Sequence, residues 1–107
     1  MIKVEFFSQD GRRTGFTVSG HSGYAEAGSD VICAAVTAIV RFAEATLNDF
    51  LGVGAKTRVD DEKAVITLTL PAKYEDEDAV QAILDGMMLT LASLRDENPD
   101  YIEVMEV

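Results

Sequence analysis

The sequence has no tryptophan, two prolines, one histidine and one cysteine among its 107 residues. A single cysteine rules out an internal disulfide and fits a reducing compartment, which leaves the thiol of Cys33 to be explained. One cysteine and one histidine leave a structural zinc site two ligands short, even with Asp30 or Glu26 recruited, so no metal is expected. Neither a Gly-x-Ser-x-Gly elbow nor a Gly-x-Gly-x-x-Gly or phosphate loop occurs, which removes serine-hydrolase and nucleotide chemistry and leaves no cofactor to expect. No run reads as the roughly eighteen apolar residues of a membrane span, and Met1-Ile2-Lys3 leads straight into a strand pattern, so the expectation is a cytoplasmic protein without a membrane partner. Positive charge is scarce too. Nine basic against 19 acidic residues give a net charge of −10, so direct nucleic-acid binding would work against the field of the whole protein, whereas a basic polypeptide would be attracted.

What is present reads as one folded domain over residues 1–107: 48% hydrophobic and 26% charged is the balance of a chain with a core. Ile2, Val4 and Phe6 alternate with Lys3, Glu5 and Phe7 as a half-buried strand does. Asp10-Gly11 signals a hairpin, and Thr14 to Gly20 resumes the alternation. Ile32, Val36, Ile39, Ala43, Leu47 and Phe50 recur at helical spacing up to about Leu51, with Asp30 as expected N-cap and Gly52 as stop. A second hairpin joins Ala55–Val59 to Ala64–Leu70 around Asp60-Asp61-Glu62-Lys63, with Ile66, Leu68 and Leu70 on its buried face. An acidic start at Glu75 to Asp78 opens a helix with Val80, Leu84, Met87, Leu91 and Leu94 on one face, and after Asn98-Pro99 a last strand runs from Tyr101 to Val107. The order β-β-α-β-β-α-β gives an α+β fold, two helices packed on one face of a mostly antiparallel sheet. The other sheet face then stays solvated unless a second subunit covers it, with Phe7 and Tyr101 as contact candidates.

The chemistry of the chain concentrates in Gly20 to Val36, which holds both His21 and Cys33. A segment punctuated by Gly20, Gly23 and Gly28 enters the helix at Ser29-Asp30 and places Cys33 in the first turn, where unpaired amides and the helix dipole favour a thiolate. Two readings fit these residues. In one, Cys33 is a small buried hydrophobe and His21 a loop residue bonded to backbone, and the protein is a non-enzymatic acidic module that binds a basic protein. In the other, Cys33 is a nucleophile, His21 its base, and the glycine-bearing loop admits a polypeptide and offers amides to an oxyanion, among them that of Cys33. Asp30 could cap the helix or orient His21, with capping favoured. The loop Ser22 to Ser29, with Tyr24 between the two candidates, is expected to be mobile and to order over a bound peptide.

Gly20-His21-Ser22-Gly23-Tyr24-Ala25, followed by Gly28-Ser29-Asp30-Val31-Ile32-Cys33-Ala34-Ala35-Val36, resembles the ribosomal-processing cysteine protease Prp family, and the length and element order agree over the whole chain. The resemblance implies a homodimeric cysteine endopeptidase that removes the N-terminal extension of large-subunit ribosomal protein bL27 after an aromatic-rich motif, with Cys33 as nucleophile and His21 as base. Thr37 departs from the serine that many members carry.

Overall fold

The computed structural model describes residues 1–20 and 27–107, with the backbone alone for residues 27–30. The elements follow the expected order: β1 (Ile2–Gln9), β2 (Arg12–Ser19), α1 (Ala27–Ala45) running into a π-helical turn (Thr46–Phe50), β3 (Lys56–Asp60), β4 (Val65–Thr69), α2 (Glu77–Glu97) and β5 (Ile102–Glu106). The strands form one sheet in the order β3-β4-β2-β1-β5. Every neighbouring pair is antiparallel except β1 and β5.

This strand order explains why both helices share a face. β2 and β3 run the same way, so α1 is a crossover past β4. β4 and β5 also run the same way, so α2 is a crossover past β2 and β1 in the opposite lateral sense and opposite strand direction. Right-handed connections then place both helices on one side of the sheet. The core agrees: Ile2, Val4, Phe6, Phe16, Val18 and Leu68 from the strands meet Ile32, Val36, Leu47, Val80, Leu84 and Leu91 from the helical layer in a single cluster. Phe6 and Phe16 lie directly opposite each other across β1 and β2, with ring centroids 5.9 Å apart. Such a cross-strand aromatic pair helps fix the register.

Several expectations are corrected. The first helix begins at Ala27, so Asp30 lies inside its first turn and is not its N-cap. Apolar character in α1 extends all round: Val31–Phe50 is long and apolar enough to cross a membrane by length and composition, although only 33% of that stretch is buried. The local sequence hides this because Arg41, Glu44 and Asp49 interrupt the run. The open sheet face is polar, in keeping with the expectation that it is solvated. One row across it reads Arg58, Thr67, Thr17, Glu5 and Met105, and the Thr17 and Thr67 hydroxyls lie 3.3 Å apart. Phe7 is half-buried there, and Tyr101 packs against the core.

The end of α1 is held by Asn48. Its side-chain amide donates to the Ala55 carbonyl at 3.0 Å, and its Oδ1 accepts from the Ala55 amide at 2.8 Å. Gly52, at φ 66°, turns the chain as the expected stop.

Candidate active site

The site is built where β2 hands the chain to α1. Gly20 ends the strand at φ 79°, and a Cβ there would stand 2.1 Å from the Met1 carbonyl oxygen. Only glycine combines that backbone angle with so close an approach to the first residue. β1 is fixed beside it, since the Ile2 amide donates to the Tyr101 carbonyl at 2.9 Å. His21 follows Gly20 directly. His21, Ser22, Gly23 and Tyr24 lie outside the described residues, and so does most of the loop expected to be mobile; of Gly28, Ser29 and Asp30 the backbone is described, as the opening turn of α1.

Cys33 is the seventh residue of α1, one turn deeper than the sequence reading placed it. Its amide is therefore past the four positions that lack an intrahelical acceptor, and it is not an oxyanion donor. Cys33 is 7% exposed and belongs to the core cluster. The bland reading of the residue is thus true of its packing, and burial by itself does not prevent a role in chemistry. One turn further on, the Thr37 hydroxyl donates to the Cys33 carbonyl at 2.8 Å. The i, i+4 spacing could have signalled that bond, since threonine in a helix often bonds back one turn.

Charge at this end of the sheet is mostly negative. The row nearest Gly20 runs Asp60, Val65, Ser19, Lys3, Glu103 across the five strands, with Asp61 and Glu62 in the adjoining β3–β4 turn and Asp100 before β5. No group of three metal-ligating side chains occurs among the described residues. A cleft of about 500 Å³, lined by Arg12, Thr14, Thr69 and Tyr74, lies beside the β1–β2 turn, at the end of the sheet opposite Gly20.

The family model for cysteine protease Prp matches residues 1–103. The ribosomal processing cysteine protease Prp of Bacillus subtilis is 25% identical over 91 residues, covering 83% of this chain and 81% of that protein. Two crystal structures of an essential ribosomal processing protease Prp from S. aureus are similar over the full length of both chains. The complex with a substrate peptide has a TM-score of 0.88 at 21% identity, and the complex with a covalently linked product peptide has a TM-score of 0.84 at 23% identity.

Proposed function

The chain belongs to the cysteine protease Prp family of ribosomal-processing enzymes, and from that premise we propose that it removes the N-terminal extension of ribosomal protein bL27 with Cys33 as nucleophile and His21 as base. The observation that carries the assignment is the placement of the only thiol in the chain early in α1, a helix that begins after the five residues that follow Gly20-His21 in the sequence. The Sγ of Cys33, deprotonated by the His21 imidazole, attacks the scissile carbonyl carbon. The tetrahedral adduct collapses to a thioester as His21 returns the proton to the departing amine. His21 then deprotonates a water that attacks the thioester, releasing the carboxylate product and the free thiol. Ser22, Gly23 and Tyr24 face the peptide in this reading, together with Gly28 and Ser29 in the opening turn of α1, and Asp30 is assigned to orient His21.

Two features support a basic protein as substrate: the net charge of −10, and the acidic row and turn at the Gly20 end of the sheet. An acidic field raises the encounter rate of a basic partner and opposes direct contact with ribosomal RNA. The enzyme acts in the cytoplasm, where such a substrate is made, and it does so as a homodimer. The test is to mix the purified protein with bL27 carrying its extension and measure product masses. One cut at the extension boundary, lost in Cys33→Ala, is the expected result. An uncut substrate, or equal cleavage by Cys33→Ala, rejects the reading.

A further inference from the structure

The two edges of the sheet differ in charge. β3 closes one edge and carries Lys56, Arg58 and Asp60 on its open face; β5 closes the other and contains no lysine, arginine or proline. From Arg95 to Val107 the acids are Asp96, Glu97, Asp100, Glu103 and Glu106, and Arg95, the one base, is paired with Asp96 at 3.1 Å. Glu106 is held by Arg13. Glu97, Asp100 and Glu103 have no ion-pair partner among the described residues, although Lys3 stands opposite Glu103 on β1.

The backbone of β5 is half used. Its pairing with β1 opens with the Ile2 amide donating to the Tyr101 carbonyl at 2.9 Å and closes with the Val107 amide donating to the Phe6 carbonyl at 2.8 Å. Successive residues of a strand turn their amide and carbonyl to opposite sides, so Tyr101, Glu103, Met105 and Val107 serve β1. The amides and carbonyls of Ile102, Val104 and Glu106 then point to the outer edge, where they have no partner among the described residues. Such a row is a template for one more strand. Natural edges are blunted with lysine, proline or a bulge, and β5, paired in continuous register, has none of these. Its place matters too. Met1 and Ile2 lie between Gly20 and Tyr101, so β5 stands two strand spacings, roughly 10 Å, from the end of β2 that leads into His21. A strand added outside β5 lies roughly 15 Å away, which about five extended residues span.

We propose that the outer edge of β5 is a second contact site for the substrate, where an extended, lysine- and arginine-bearing segment of the basic protein, several residues from the scissile bond, adds as a sixth strand. The proposal rests on the proteolytic reading above and adds to it how an intact basic protein is told from a loose peptide. Main-chain bonds to Val104 and its neighbours give affinity with little demand on side chains, and Glu97, Asp100 and Glu103 select for positive charge. Charge also decides the occupant. A second copy would set two acidic edges against each other, and RNA would bring phosphates to carboxylates, whereas a basic strand gains from both the open bonds and the field.

The test compares bL27 carrying its extension with a peptide trimmed to the residues flanking the boundary, too short to reach β5. For the wild type the protein should be the better substrate by at least about 10-fold in kcat/KM at low salt, and added salt should erase most of that advantage. Glu103→Lys should raise KM for the protein about 10-fold with kcat unchanged, and should cut the peptide at the wild-type rate. Val104→Pro removes one outward amide and no bond to β1, and should raise KM for the protein about five-fold, the size of one lost hydrogen bond. If that variant loses the wild-type circular dichroism, Glu103→Lys decides alone. Asp49→Lys, which makes the same change of net charge on the π-helical turn, should cut both substrates as the wild type does. Equal cutting of protein and peptide by the wild type, equal losses in Asp49→Lys and Glu103→Lys, or a loss in Glu103→Lys that extends to the peptide would overturn the edge and leave proteolysis standing. A wild type that cuts neither substrate would reject the proteolysis, and the edge with it.

Discussion

The two ends of the sheet are held together by different means. At the β1–β2 turn, Arg13 reaches across the layers. Its backbone amide and carbonyl exchange hydrogen bonds with the Gln81 side chain at 2.8 and 2.9 Å, its Nε donates to Asp85 at 2.6 Å, and an Nη donates to Glu106 at 2.8 Å. Its guanidinium also lies 5.2 Å from the Phe6 ring centroid. One residue thus ties β2 to α2 and β5. Burial alone would lower the guanidinium's affinity for its proton, but the hydrogen bonds to Asp85 and Glu106 and the charges of those carboxylates outweigh it and raise the value above the ordinary one. At the Gly20 end no such clamp occurs among the described residues; the sheet pairings themselves, a close backbone approach to Met1 and one bond from Ile2 to Tyr101 hold the strands. The polar clamp stands where no chemistry is placed, and the thiol end is left with geometry set by glycine. Stability and reaction are therefore separable by mutation.

The largest effect belongs to the thiol. Cys33→Ala should reduce turnover by at least about 10³-fold and by as much as about 10⁶-fold, as loss of a nucleophile does. Unfolding should change by only about 1 kcal/mol, because one buried sulfur is removed. Cleavage assayed by mass, alongside a urea titration, reads both numbers. Cys33→Ser should be nearly as inactive, since a hydroxyl gives up its proton far less readily than a thiol.

Gly20→Ala comes next and tests whether this end has room to adjust. The new Cβ meets the Met1 carbonyl at a φ that alanine disfavours, so the chain just past β2 must shift, one residue before His21 in the sequence. We expect a loss of about 2 kcal/mol or more in stability and a larger fractional loss in turnover, measured by denaturation and by single-turnover cleavage. Wild-type turnover in a folded Gly20→Ala protein would show that the geometry at the end of β2 does not reach the reaction.

Arg13→Ala should do the reverse. Asp85 and Glu106 have side chains 57% and 63% exposed, so losing their ion pairs costs little in water; most of the effect comes from the hydrogen bonds and packing of a side chain only 11% exposed. About 2 kcal/mol of stability should disappear with turnover intact in the folded fraction. The sign of the pH effect follows from the raised guanidinium value. The stabilisation is complete below the unfolded value and is lost only as pH rises through the folded one, so between about pH 6 and 9 titration of Arg13 contributes no slope. A slope in the wild-type protein that vanishes in Arg13→Ala would contradict this.

Much of this contrast was legible in the sequence, for physical reasons that differ by element. Strand and helix periodicity placed all seven regular elements, because Ile2-Val4-Phe6 and Val80-Leu84-Met87-Leu91 each bury one clean face. α1 was harder. Its apolar residues are not confined to one face: periodicity marked Ile32, Val36 and Leu47 correctly and left Val31 and Phe42 off the stripe, but it carried the stripe on to Phe50, which is 82% exposed at the end of the π-helical turn. Its start was misread because Ser29-Asp30 is a strong capping signal, and the helix passes through it from Ala27. Arg13 was invisible for another reason: its partners Gln81, Asp85 and Glu106 are brought to it by the crossovers of the fold and by no local spacing. Cys33 and Gly20 were singled out from residue type and order alone, and the fold adds the close approach of Gly20 to Met1 and the burial of Cys33.

The smallest effect lies in the β3–β4 turn, at the same end as Gly20 but on the chain's other hairpin. Ala64 sits at φ 51°, a left-handed conformation in which a Cβ crowds the following carbonyl at a cost of roughly 1 kcal/mol. The turn tolerates it because the Lys63 amide donates to the Asp60 carboxylate at 3.1 Å and β4 then pairs fully with β2 and β3. Ala64→Gly removes the steric cost but gives the unfolded chain more freedom, and the two oppose each other. The relief should win by about 0.5 kcal/mol, visible as a higher urea midpoint with an unchanged slope. Since the substitution adds no contact and moves no charge, cleavage should stay at the wild-type rate. A higher midpoint together with slower cleavage would mean that the turn's strained geometry reaches the site, and the separation between the two ends would then have to be redrawn to include this hairpin.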